Sequence, residues 1–368
     1  MADTAIFLGA GASTAEGAPL QTELFQQYFS SWHFRDSNEL MNRDLAAFFK
    51  GMFQIDVERA EISQISFPTF EEVLGLTDLA IMRKEAFRHF DIESRAPTSG
   101  RLRLVAQYLV FLVARVLDFK LQGRARYHRQ LVTALRETDQ LRNVIFVSTN
   151  YDILIDNALV DQHDHDIDLD YGVDFRNFER PGDWQRPRRD RSVFLFKPHG
   201  SLNWLFCPTC NELEITPKEK GVVTRLISEY ADQRCTVCRT VFSPLIVPPT
   251  FYKDLNNVFL SEIWNRTDIA LRKVTHIVFC GYSFPDADIH IKYLLKRDQT
   301  NRDGNAPLRV TVINHHSDKL PEDSQQEERR FKRFLGDSVD YTTKTFQQFA
   351  ANLLAVLRPA ALTGGSAT

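Results

Sequence analysis

The chain is poor in the features that would take it out of an ordinary globular class. It has no cationic, apolar stretch at its N-terminus, so no export signal is expected. No uninterrupted apolar run reaches spanning length: the most apolar one, Leu104 to Phe119, is broken by Gln107, Arg115 and Asp118 and reads as a buried helix, so no membrane partner is expected. Charge of one sign is not in excess, since 45 Lys and Arg face 48 Asp and Glu, and a net charge of -3 offers no global attraction for nucleic acid. There is no internal repeat, no long low-complexity tract and no P-loop GxxxxGK[ST] pattern, so no sensor domain is recognisable within the chain. Cysteine is scarce at five residues, and four of these stand in two CxxC pairs. That usage fits a reducing compartment better than a disulfide framework, and the expected location is the cytoplasm.

What is present fits a soluble chain with a real core: 368 residues, 43% hydrophobic and 25% charged, enough for one large domain with insertions or for two. Apolar, β-rich runs ending in polar or glycine residues occur at "TAIFLGAGAST", "NVIFVSTNYD", "SVFLFKPHGS", "HIVFCGYSF" and "LRVTVINHH". Five such strands with helices between them predict an α/β fold, a doubly wound, Rossmann-like parallel sheet whose ligands bind beyond the carboxyl ends of the strands. Residues from about Ser37 to Gln140 read instead as an all-helical insertion; within it Thr69, followed three residues on by Glu72, forms a capping-box signature. The expected organisation is the first part of the sheet domain in 1–36, the helical insertion in 37–140, sheet domain again in 141–204, a small four-cysteine module in 205–251, the C-terminal part of the sheet domain in 252–358, and a disordered tail in 359–368.

The polar residues that end the strands carry the candidate chemistry. Gly9, Ala10, Gly11, Ala12 and Ser13 can form a tight turn whose backbone N–H groups face an anion, although a plain strand-to-helix turn would look the same. "STNYD" places Thr149, Asn150 and Asp152 at the end of a buried strand; Asp152 either hydrogen-bonds a ligand carboxamide or caps the following helix. His199 in "KPHGS" is suited to accept a proton from a water or ribose hydroxyl, with a satisfied core histidine as the plain alternative, and Gly200 beside it allows close backbone approach. Gly281, Ser283 and Asn314 repeat the arrangement on two later strands. Asp286 and Asp288 are expected to compensate a helix dipole rather than to hold a metal.

Cys207, Cys210, Cys235 and Cys238 stand as C-x2-C-x24-C-x2-C, a spacing that can set four thiolates tetrahedrally around Zn²⁺ with no position left for a reacting water. The site is expected to be structural, and Cys280 to be a small core residue. The arginine- and proline-rich stretch 176–191 reads as an exposed loop, its arginines partly offset by Glu179, Asp183 and Asp190, so direct nucleic-acid binding stays open.

In this order, "GAGAS", "TNYD", "HG", the paired CxxC knuckles, "GYS" and the late "IN" resemble the sirtuin family of NAD-dependent enzymes, from Gly9 to Asn314. The resemblance implies an NAD site, cleavage of the nicotinamide–ribose bond, and His199 as the catalytic histidine. It also implies Asn150 and Asp152 around the nicotinamide ribose and carboxamide, Gly9 to Ser13 at the pyrophosphate, and Ser283 and Asn314 toward the adenosine half. The chain departs from sirtuin deacylases in carrying "TAEGAPLQTELF" where they have a Pro-Asp-Phe-Arg segment, in Thr149 where glutamine is usual, and in its helical insertion. In those features it is more similar to the sirtuin-like effectors of bacterial antiphage defence, which destroy NAD.

The first functional expectation is therefore an NAD hydrolase (NADase) that takes NAD as its substrate, with Zn²⁺ in a structural role. An NAD-dependent protein deacylase is the second, and a non-catalytic NAD-binding assembly module the third. An effector that consumes NAD must be held inactive, so the resemblance further implies a homo-oligomer or control by a separate sensor or motor protein.

Overall fold

The computed structural model describes residues 2–31, 39–59, 61–92, 100–121, 125–161, 167–177, 184–188, 190–215, 234–235, 237–246, 257–286, 288–302, 308–316 and 320–357. The expected tail, and residues 178–183 and 189 of the expected loop 176–191, lie outside them. The chain divides into two compact units, one of Met1–Glu16, Arg124–Pro198 and Asn257–Thr368, the other of Gly17–Gly123 and His199–Asn256.

The first unit is built on a seven-stranded sheet in the order Asp340–Thr342, Arg309–Ile313, His276–Cys280, Thr4–Leu8, Val144–Ser148, Ser192–Phe196, Asp168–Asp170. Every neighbouring pair is parallel. Thr4–Leu8, Val144–Ser148 and His276–Cys280 are buried at every position, which is why they read as continuous apolar runs rather than as alternating ones. All five expected strands are present. The two further strands, Asp168–Asp170 and Asp340–Thr342, are three-residue edges bearing aspartates, too short and too polar to stand out as a pattern. The strand after Thr4–Leu8 lies on one side of it, and the strands from His276 onward lie on the other. The topological switch point thus falls between Thr4–Leu8 and His276–Cys280, where doubly wound sheets bind their ligands.

Helices flank this sheet through narrow apolar stripes. Arg126–Glu137 buries His128, Leu131, Val132 and Leu135, and Pro321–Leu335, with proline at its start, buries Glu327, Phe331 and Leu335. Arg126–Glu137 packs against Leu154–Asp161 and Phe346–Ala351, so it belongs with the sheet although it falls within 37–140.

The second unit holds the helices Leu24–Ser30, Glu39–Phe53, Phe70–Arg83 and Leu102–Leu121. Their core is a cluster of Phe25, Phe29, Phe49 and Phe67, with Phe48, Phe53 and Phe90 beside it. The Thr69 capping box is formed, with the Glu72 N–H donating to Thr69 Oγ1 and the Thr69 N–H to the Glu72 carboxylate. A short parallel pair, Phe90–Asp91 with Gly100–Arg101, is an addition to the all-helical expectation. The same unit carries Gly200–Cys207 paired antiparallel with Glu212–Ile215 and with Ser243–Ile246. Among the described residues no helix is long and apolar enough to cross a membrane; Leu102–Leu121 buries Leu102, Val105, Leu109, Leu112 and Val116.

Candidate functional site

Register brings the strand tips of the first unit together. Leu8 is level with Ser148 on one side and Cys280 on the other, and Cys280 is level with Ile313. The next residues continue the ladders: the Thr149 N–H donates to the Leu8 carbonyl at 3.1 Å, Gly9 to Cys280 at 3.0 Å, Gly281 to Ile313 at 3.0 Å and Asn314 to Thr342 at 3.1 Å. Gly9, Thr149, Gly281 and Asn314, far apart in sequence, therefore sit along one carboxyl edge.

At this edge a chain of polar side chains crosses from strand to strand. The Asn150 amide donates to the Gly9 carbonyl and to Ser13 Oγ, each at 2.8 Å. The Ser13 hydroxyl in turn donates to Asp152 Oδ2 at 2.6 Å. Both N–H groups of Asn150 are thus engaged, and Oδ1 is its remaining acceptor. Asp152 also accepts the Leu154 N–H at 3.1 Å at the start of the helix Leu154–Asp161, the capping role that is one of the two alternatives for it. Ser13 and Asp152 are buried and Asn150 is half-buried.

The glycine turn differs from an outward-facing cradle. Its helix is only Ala10–Thr14, and the N–H groups of Gly9, Gly11 and Ala12 already donate to the carbonyls of Cys280, Gly281 and Gly9. Ala10 is the exposed residue of the turn. Gly281, at φ 62°, has its bare Cα turned to this same turn: a Cβ there would lie 2.1 Å from the Ala12 nitrogen. Packing of the two loops across the switch point is itself sufficient to require glycine there. Ser283 is exposed, its carbonyl accepting from Arg330. Asn314 is only 3% exposed and donates to the Tyr282 carbonyl at 2.8 Å and Glu327 Oε1 at 2.6 Å, so it ties the 281–284 loop to the helix Pro321–Leu335. Asp286 pairs with Lys292, and Asp288 accepts from the Tyr282 hydroxyl at 2.6 Å at the start of Ile289–Thr300; neither faces another carboxylate in a metal-like cluster among the described residues. Cys280 is fully buried, and burial pushes its thiol well up.

His199 opens the second segment of the second unit, His199–Asn256, and is 2% exposed. Gly200 after it, at φ 78°, would place a Cβ 1.9 Å from the Leu245 carbonyl oxygen, so its close approach is to the Ser243–Ile246 strand rather than to a ligand. The same unit holds the four cysteines, whose sulfurs all lie within 4.8 Å of one another. Each CxxC pair closes in the same way. Asn211 and Arg239, at φ 54° and 64°, return their N–H to the carbonyls of Cys207 and Cys235 at 3.0 and 2.9 Å. Burial pushes the Cys207 and Cys210 thiols up, while hydrogen bonds from the Thr240 side chain and N–H lower Cys238 to about 6. This donor set fits a soft tetrahedral cation, which would take all four as thiolates.

Other buried polar groups escape a reading of motifs. Lys197, 0% exposed, donates to the Asp152 carbonyl at 2.7 Å and to Asp156 Oδ2 at 3.1 Å, and the Tyr171 hydroxyl donates to Asp156 Oδ1 at 2.7 Å. Glu16 accepts the N–H groups of Arg126, Tyr127 and His128 and meets His128 Nδ1 at 3.2 Å. Burial raises that carboxyl, but hydrogen bonds from the His128 side chain and N–H, electrostatic attraction to the imidazole and the Tyr127 N–H together hold it below the usual range. Of the arginine-rich stretch, Arg186 and Arg188 pair with Asp174 and Asp168, as a solvated loop would.

No curated protein matches the chain. Residues 144–335, more than half of it, match the SIR2-like domain. That span takes in Asn150, Asp152, His199, the four cysteines, Gly281, Ser283 and Asn314, and it implies a sirtuin-type use of NAD. The chain belongs to the SIR2-like, or sirtuin-like, domain family.

Proposed function

We propose that the chain is an NAD glycohydrolase, releasing nicotinamide and ADP-ribose from NAD. The observation that carries this is the Asn150–Ser13–Asp152 hydrogen-bond chain at the carboxyl edge of a parallel sheet, in a chain whose family uses NAD. In this reaction the bond between ribose C1′ and the nicotinamide nitrogen breaks, its electron pair going to the ring, while the ribose takes on oxocarbenium character. Water adds to C1′ and gives up a proton, the part that the family resemblance assigns to His199. Asn150 Oδ1 accepts from that water or from a ribose hydroxyl, and the Asp152 carboxylate favours the positive charge that develops. The turn from Gly9 to Ser13, with Ala10 exposed, takes the pyrophosphate; Thr149 borders it. Ser283 faces the adenosine half, and Asn314 acts through the loop it holds.

The four cysteines are assigned a structural zinc ion. A tetrahedron with Zn–S near 2.3 Å has sulfurs about 3.8 Å apart, and the two shortest contacts here are 3.3 and 3.4 Å with all within 4.8 Å. The departures from deacylases, together with the helical second unit, support an effector of antiphage defence acting in the cytoplasm. Such an effector would be restrained as a homo-oligomer or by a separate sensor or motor protein.

The test is incubation of the purified protein with NAD alone. Nicotinamide and ADP-ribose in equal amounts are expected; release only after an acylated peptide is added would make the chain a deacylase, and tight binding without turnover an NAD-binding assembly module.

A further inference from the structure

We propose that Lys197 is a positioning residue for the Asn150–Asp152 turn. An ammonium group wholly removed from water costs several kcal/mol unless its partners repay it, so its contacts show what its burial accomplishes. One hydrogen goes to a charge, Asp156; another goes to a main-chain carbonyl, that of Asp152, at the shorter distance of 2.7 Å. That carbonyl belongs to the residue whose side chain organises the turn: the Asp152 carboxylate accepts the Ser13 hydroxyl at Oδ2 and the Leu154 N–H at Oδ1. Lys197 follows directly on Ser192–Phe196, the strand that is paired with Val144–Ser148. It therefore pins the loop after one strand to the tip of the next, much as Asn150 pins that loop to Gly9 on the other side. Tyr171 completes the device by fixing Asp156, and so the direction from which the ammonium is held. The turn is anchored on both flanks, and Asn150 Oδ1 is aimed without relying on ligand contacts.

This inference rests on the hydrolase reading for its effect on turnover, but its structural content is separable. The test compares Lys197→Met, the double variant Lys197→Met/Asp156→Asn, and Tyr171→Phe. The double variant removes the buried charge pair together, so it folds with a melting temperature near that of the wild type, whereas the single variant leaves Asp156 uncompensated. With the fold intact, the double variant has lost the donor to the Asp152 carbonyl. Hydrogen exchange followed by mass spectrometry then rises in peptides covering 149–154 and not across the rest of the sheet. On NAD, kcat falls on the order of 10- to 100-fold, as a misplaced group does, while the dissociation constant for NAD changes less than about threefold. Tyr171→Phe keeps the Lys197–Asp152 bond but removes the hydroxyl that fixes Asp156, and kcat falls by less than in the double variant. A double variant that matches the wild type in both exchange and kcat would overturn the proposal, as would one that fails to fold or one whose exchange rises throughout the sheet. If the wild type turns over no NAD, the hydrolase reading falls, and the exchange of 149–154 still decides the role of Lys197.

Discussion

The Ser13 hydroxyl donates to Asp152 Oδ2 across 2.6 Å, joining two buried side chains 139 positions apart. It connects the turn after the first strand to the turn after its neighbour, and it passes on the hydrogen bond that Ser13 receives from Asn150. Ser13→Ala removes the middle of that chain, leaving a carboxylate oxygen and an amide N–H without their partner. Urea unfolding is expected to show a loss of about 1–3 kcal/mol, the cost of orphaning buried polar groups. A change inside about 0.5 kcal/mol would mean that the three residues are not coupled.

His276 opens the strand His276–Cys280 at the opposite edge of the sheet, with Nε2 3.0 Å from Thr311 Oγ1. Burial, helped by the nearby Arg309 charge, lowers it to about 4 from its usual 6.5. A depressed pKa means that the unfolded chain binds the proton first. The stabilisation is complete above about pH 6.5 and is lost as pH falls through 4, by up to about 3 kcal/mol. His276→Gln, measured by denaturant midpoint between pH 7 and pH 4, should flatten that part of the acid limb; an identical pH slope in variant and wild type would contradict it.

The four sulfurs are expected to hold one zinc per chain, countable by elemental analysis. Because every ligand must be a thiolate, acidification should release the metal, and a chelator or Cys235→Ser should unfold the module around Gly200–Cys207. Protein that carries no metal and keeps the exchange protection of that strand would show that the cysteines pack without an ion.

Much of this architecture is visible in the residues themselves, and the parts that are not have physical reasons. Thr4–Leu8, Val144–Ser148 and His276–Cys280 announce themselves because strands covered on both faces must be apolar throughout. The cysteine spacing is equally plain, since both knuckles need the same short loop. Asp168–Asp170 and Asp340–Thr342 are strands only because a neighbour's free edge accepts them, and no local pattern records that. Gly200 and Gly281 are readable as glycines that admit something close, yet whether that is a ligand or another loop depends on Leu245 and Ala12, which only the fold brings there. Lys197 is the sharpest case: at the end of an apolar run it looks like a surface residue, and its burial follows from Asp152 and Asp156, more than forty positions earlier. Periodicity likewise shows that Arg126–Glu137 is a helix with one apolar face, but not that the face meets Leu154–Asp161 and Phe346–Ala351.

The most direct measurement is the rate of nicotinamide release from NAD, with no peptide present, by the wild type and by Asn150→Ala, alongside the affinity of each for NAD. The wild type should release nicotinamide and ADP-ribose one for one. Asn150→Ala should still bind NAD yet release nicotinamide about 10²–10⁴-fold more slowly, as expected when a group that orients the attacking water is lost. No release by the wild type, or an undiminished rate in Asn150→Ala, would contradict the assignment.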